Sequence, residues 1–129
     1  MTATWMVLLY GDEKFWTSAS AEVVDRVMRE HRAYAAACAE QGYTMIGGEQ
    51  LGFSSTAITA RRSEGGPVEV TDGPFSETAE YLGGYYVFQT DDPKGLAELT
   101  GEMLITDTGG GAELRPVIQV DGQRPAAAL

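Results

Sequence analysis

The chain has 129 residues and a mass of 13.8 kDa, enough for one domain with a single core that buries about 65% of the extended surface. Hydrophobic residues make up 43% and charged residues 22%, which describes an ordinary globular protein rather than a disordered or fibrous one. Nineteen acidic residues against nine basic ones give a net charge of -10, so the mean field repels nucleic acid and anionic lipid.

The first apolar run, Trp5 to Tyr10, predicts a strand covered on both faces and ending at Gly11-Asp12-Glu13, which has turn chemistry. At six residues it is too short for a signal peptide or a membrane span, and the expected setting is a cytoplasmic, soluble one. From about Ser20 the period becomes helical, with Val24, Val27, His31, Ala35 and Cys38 on one stripe and Tyr34 beside it. Ser18 or Ser20 is the expected cap and Gly42 the stop. Glu22 with Arg26, and Asp25 with Arg29, stand i,i+4 and mark the solvent face.

Met45 to Ser55, with Gly47, Gly48 and Gly52, reads as loop with at most a short extended piece. Ala57 to Arg62 and Val68 to Thr71 alternate on either side of Ser63-Glu64-Gly65-Gly66-Pro67, the pattern of a β-hairpin that Asp72-Gly73-Pro74 closes. Ser76 to Glu80 has room for one helical turn. Tyr85 to Phe88 predicts a second central strand, and a second helix starts at Asp92 with Pro93 in its first turn and Leu96, Leu99 and Met103 on one face. After Gly109-Gly110-Gly111, Ala112 to Val120 is the last expected strand, followed by a frayed tail from Asp121.

This order predicts one α+β domain over residues 1–129, ferredoxin-like with an added β-hairpin, its helices on one face of a mostly antiparallel sheet. Two helices cover one face only. A second copy packed sheet against sheet is the simplest cover for the other, so a homodimer is expected.

His31 is the single histidine and the one side chain whose ordinary pKa suits acid–base chemistry near neutrality. Its place on the apolar stripe reads either as a hydrogen-bonded core histidine or as a base facing a ligand. Asp72, on a stiff turn, is either an Asx-type cap of its own backbone or a carboxylate that orients His31. Arg61 and Arg62 fall on opposite faces of a strand, one toward a core or cleft. Arg61 and Arg115 are each either a structural ion pair or an anchor for a small organic anion. Glu49 is a further acid near a cleft or a solvated loop residue. Cys38 reads as core. A lone cysteine and a lone histidine without an HxH or HxxxH pair argue against a metal, and the glycine pairs have neither dinucleotide nor P-loop spacing, so no cofactor is expected.

The segments WMVLLYGDE, REH, TARR, TDGPFSETAEYLGGYYVF and ELRPV together resemble the YCII-related superfamily, in particular its subgroup with the Asp-Gly-Pro-Phe signature. The resemblance spans Trp5 to Val120. It implies a dimeric α–β barrel type of ferredoxin-like domain and an active dyad that carries over onto His31 and Asp72. One relative removes chloride from a chlorinated muconate-type compound, and some members are encoded beside alternative sigma factors. Family-typical positions also match Arg61, Glu80, Gly83, Gly84 and Arg115. The expected function is therefore a small enzyme that eliminates from or isomerises an organic acid. The alternative is a non-catalytic module that senses a ligand or binds a regulatory protein.

Overall fold

A computed structural model describes residues 3–78, 80–105 and 109–118. Strand β1 (Ala3–Asp12) is longer than the apolar run predicts, because its backbone stays paired beyond Tyr10. Asp12 then accepts from the Lys14 amide at 2.9 Å and caps a short helix α1 (Glu13–Thr17), which replaces the expected turn.

Helix α2 (Ala21–Glu40) is capped by Ser20, whose hydroxyl accepts from the Val23 amide at 3.2 Å. It ends as predicted at Gly42, in the left-handed region at φ 85°. The Tyr43 amide reaches Cys38 O at 2.9 Å and the Gly42 amide reaches Ala39 O at 3.2 Å, the paired bonds of a Schellman stop. The buried stripe is turned from the predicted one: Tyr34 and Cys38 are fully buried, whereas Val24 is 41% exposed. Arg26 pairs with Glu30 at 3.4 Å rather than with Glu22.

The glycine-rich segment after Gly42 is a strand, β2 (Thr44–Gln50), not a loop. Its glycines are where the neighbouring strand sets large side chains. A Cβ on Gly48 would lie 2.6 Å from Tyr86 Cδ1, so only glycine lets the two strands pair there. A 3-10 turn at Ser54–Thr56 leads into β3 (Ile58–Arg62) and β4 (Val68–Asp72), the predicted hairpin, which forms a separate two-stranded sheet. Strand β5 (Glu80–Thr90) begins where a helical turn was expected. Helix α3 (Pro93–Leu104) follows, with Asp92 as cap and Leu96 and Leu99 buried.

The last strand, β6 (Gly111–Pro116), is shorter than its prediction, whose end at Gln119 and Val120 lies outside the described residues, as does the tail from Asp121. Gly110 precedes β6 at φ 104°, and a Cβ there would come within 2.2 Å of Tyr10 O, so this entry into the sheet requires glycine.

Among the described residues the main sheet has the order β2-β5-β1-β6, with each neighbouring pair antiparallel. An α+β architecture on a mostly antiparallel sheet is therefore observed. Register places Val7, Tyr86 and Leu114 abreast on one face, and Met6, Val87 and Arg115 abreast on the other. Helices α2 and α3 cover the first face, where Val7, Tyr34, Cys38, Phe88, Leu96 and Leu99 form the core.

Within that core the Tyr34 hydroxyl bonds Thr100 Oγ1 at 2.8 Å, and Thr100 Oγ1 also donates to Leu96 O at 2.7 Å. This bond ties α2 to α3 in a place closed to water. Thr100→Val is expected to lower stability by about 1–2 kcal/mol, because it strands a buried hydroxyl, and adding Tyr34→Phe is expected to recover part of that loss. Urea denaturation of the two single variants and the double variant measures both effects.

Candidate functional site

A cavity of about 520 Å3 opens between α2 and the helix-covered face of the sheet, near the end of β1 and the start of β5. The sheet supplies Leu9, Gly48, Gly84 and Tyr86, helix α2 supplies Val24, Val27, Met28 and His31, and the end of α3 adds Leu104. Trp16 of α1 forms another wall, its indole packed on Gly11, where a Cβ would stand 3.2 Å from Nε1.

The tether from β2 to the hairpin closes a further side with Leu51 and Phe53. It is held by Glu13, whose carboxylate accepts from the Ser54 amide at 2.7 Å and from the Ser54 hydroxyl at 2.5 Å. Both oxygens of one acid thus fix the start of the 3-10 turn. Phe53 rests against Tyr81 with ring centroids 6.0 Å apart, completing an aromatic wall opposite α2.

His31 lines this cavity half-buried, and its Nδ1 lies 2.7 Å from the Tyr86 hydroxyl. Tyr86 is itself wedged among aromatic rings, 5.6 Å from Tyr34 and 6.1 Å from Phe88 between centroids. The histidine is therefore positioned by a phenol that the core holds still. Burial lowers the His31 pKa below its ordinary 6.5, opposed in part by the negative charge of Glu30. Burial also raises the Tyr86 pKa, so the phenol keeps its proton. Two neutral partners share one hydrogen bond: with the ring proton on Nδ1, Nε2 is a bare acceptor, and with the tyrosine donating, Nε2 carries a proton to give. Either way the bond to Tyr86 uses Nδ1 and not Nε2.

The other residues singled out by sequence stand elsewhere. Asp72 is exposed at the end of β4, opposite Ile58, and does not line the cavity; the described partner of His31 is Tyr86. Arg61 stacks over the Phe75 ring at 4.1 Å and donates to Phe75 O, which ties the hairpin to the segment that follows it. Neither Arg61 nor Arg62 is buried, so the expected split between core and solvent is not observed. Arg62 donates to Gly66 O at 2.9 Å. Arg115 is exposed on the outer face of β6. Glu49 borders the cavity, but its pairing with Tyr85 sends its side chain to the outer face.

A family model for the YCII-related domain matches residues 3–121. The chain belongs to the YCII-related family. An uncharacterised protein of Rhizobium meliloti (strain 1021) is 37% identical to this YCII-related chain over 81 residues, which is 63% of this chain and 64% of the relative. The chain therefore spans somewhat less than two thirds of that relative's length.

Tyr86, Gly48, Trp16 and Glu13 had no signal of their own as site residues. The Tyr85-Tyr86 pair in a strand carries one, because one of two consecutive strand residues must face the helices, and it has to meet whatever the helix offers there.

The lowered His31 pKa sets a pH window. Folding disfavours the charged ring, so the contribution of neutral His31 to stability is complete above 6.5 and is lost as the pH falls from there through the lower folded-state value. NMR of the ring should give a midpoint below 6.5, and His31→Gln should flatten the stability profile over that window.

Proposed function

We propose that this YCII-related chain binds a small organic molecule in the cavity under α2 and that His31 is the group that moves a proton on it. The observation that carries the reading is a lone histidine lining a mostly apolar cavity, with one ring nitrogen held by Tyr86 at 2.7 Å, a bond that does not use the other. A neutral imidazole in such a place takes a proton from a carbon next to a carbonyl, and the C–H electron pair moves into the carbonyl to form an enol or enolate. Return of the proton to another carbon completes an isomerisation, and loss of a leaving group completes an elimination. Asp72, Arg61 and Arg115 lie outside the cavity of a single chain, so the proposal rests on His31 and Tyr86.

Within the family we assign the chain to the Asp-Gly-Pro-Phe subgroup, a reading supported by Asp72-Gly73-Pro74-Phe75 and by Leu82-Gly83-Gly84-Tyr85-Tyr86. The strand order β2-β5-β1-β6, with α2 and α3 in the two crossovers, supports a ferredoxin-like fold. A homodimer through the outer sheet face completes the proposal: Met6, Leu8, Tyr85 and Val87 lie side by side there, and among the described residues no helix covers them.

One observation favours a second reading, that of an interaction module. The hairpin β3–β4 exposes Ile58 at 72%, Val68 at 58% and Val70 at 65% on a single face.

A panel of enolisable ketones and unsaturated lactones, with isomerisation followed by ultraviolet absorbance, tests the enzyme reading. His31→Gln is expected to cut turnover by about 100-fold or more without unfolding, and Tyr86→Phe by about tenfold, because it loosens the base without removing it. Equal turnover by wild type and His31→Gln would leave the module reading. For the assembly, sedimentation velocity should find a dimer that Val87→Glu converts to folded monomer.

A further inference from the structure

The charge and shape of the cavity specify the class of its ligand more closely, an inference that rests on the binding role proposed above. An anion or cation that gives up water for a mostly apolar cavity loses solvation that only a counter-charge there restores. Among the described residues Glu49 is the one carboxylate in the lining, on a strand position whose register with Tyr85 belongs to the far face of the sheet, and no lysine or arginine lines the cavity. His31 is the sole remaining basic group, and burial favours its neutral form. Among the described residues the other polar side chains of the lining, such as His31, Gln50, Tyr81 and Tyr86, are an imidazole that favours its neutral form, an amide and protonated phenols.

The walls add the shape. Trp16, Phe53, Tyr81 and Tyr86 present ring surfaces, and the lack of side chains at Gly48 and Gly84 lets these rings and the strands close up around the space. Flat surfaces of this kind favour planar partners through stacked or edge contacts. The volume of about 520 Å3 is within the usual range for a ligand of a few fused rings or one substituted ring.

We propose that the cavity selects uncharged, planar organic molecules bearing a hydroxyl or carbonyl group, and that this group sits on His31 while the ring lies between the aromatic wall and α2. Charged analogues of the same outline are excluded for want of a counter-charge, in contrast to the organic acid that the sequence suggests.

Three probes of one outline test this at pH 7.5: 2-naphthol, 2-naphthoate and 2-naphthylmethylammonium, titrated by calorimetry with the His31 ring followed by NMR. The expected result is that 2-naphthol binds at least tenfold tighter than either ion, a difference of about 1.4 kcal/mol, and shifts the His31 signals. Naphthoate or the ammonium probe binding as tightly as naphthol would overturn the selectivity and leave the cavity's binding role intact. Silence from all three, with the His31 signals unmoved, would overturn the binding role itself. Met28→Lys is the complementary variant: position 28 lines the cavity yet is 37% exposed on α2, so the change is tolerated by the fold. It is expected to raise naphthoate affinity about tenfold relative to naphthol by supplying the missing cation. An unchanged ratio in a folded Met28→Lys protein would overturn the electrostatic argument.

Discussion

The ring of Tyr86 stands over residue 48, and much of the arrangement on the helix side of the sheet depends on that fit. Because residue 48 is glycine, β2 can pair with β5 while the tyrosine lies flat across it; a methyl group there would come within 2.6 Å of the ring. Lying so, Tyr86 packs on Tyr34 and directs its hydroxyl to His31. Tyr34 in turn reaches Thr100 on α3. A chain of contacts thus runs from an edge strand through both long helices, and the histidine is its polar end. The constraint is steric at one end and hydrogen-bonded at the other, which suits a group that has to hold its place while changing protonation.

The sequence is most legible where one physical signal dominates. Ser20 and Gly42 bracket α2 because a cap and a left-handed stop are local chemistry, and Asp92-Pro93 does the same for the start of α3. The alternation of β3 and β4 also reads directly, because a hairpin is the most local of sheets. Where pairing across long sequence distances decides, local signals mislead. Gly47 and Gly48 look like loop until Val87 and Tyr86 are known to lie opposite them, and Ser76 to Glu80 looks helical until β1 is seen to extend β5. Period alone also leaves the angle of a helix face undetermined, so Val24 reads as core although Tyr34 and Cys38 are what the sheet covers.

The site was legible in part for the same reason. His31 stands out by chemistry alone, as a single imidazole on an apolar stripe. Its partner does not: a tyrosine from β5 is as far from it in sequence as Asp72 is near it in expectation, and only the folded sheet makes the choice. From charge alone the arginines read either as structural ion pairs or as anchors for an anion. Arg61, however, has its guanidinium on the Phe75 ring and on the Phe75 carbonyl, engaged with the segment just after the hairpin.

The position of the hairpin in the chain has an evolutionary consequence. β2 and β5 are neighbours in the sheet, yet residues 51–79 intervene between them, so β3 and β4 are an excursion from a junction that a tight turn would close. Lengthening such an excursion carries a small entropic cost, since loop closure grows only with the logarithm of length. The base of the excursion, at Leu51 and Phe53, is also a wall of the cavity, fastened by Glu13. Insertions, deletions or replacements at the tip therefore leave the sheet and the histidine undisturbed, while changes at the base reshape the chamber. One segment gives descendants of this fold two independent dials: an outer surface free to acquire new neighbours, and an inner lining free to acquire new guests.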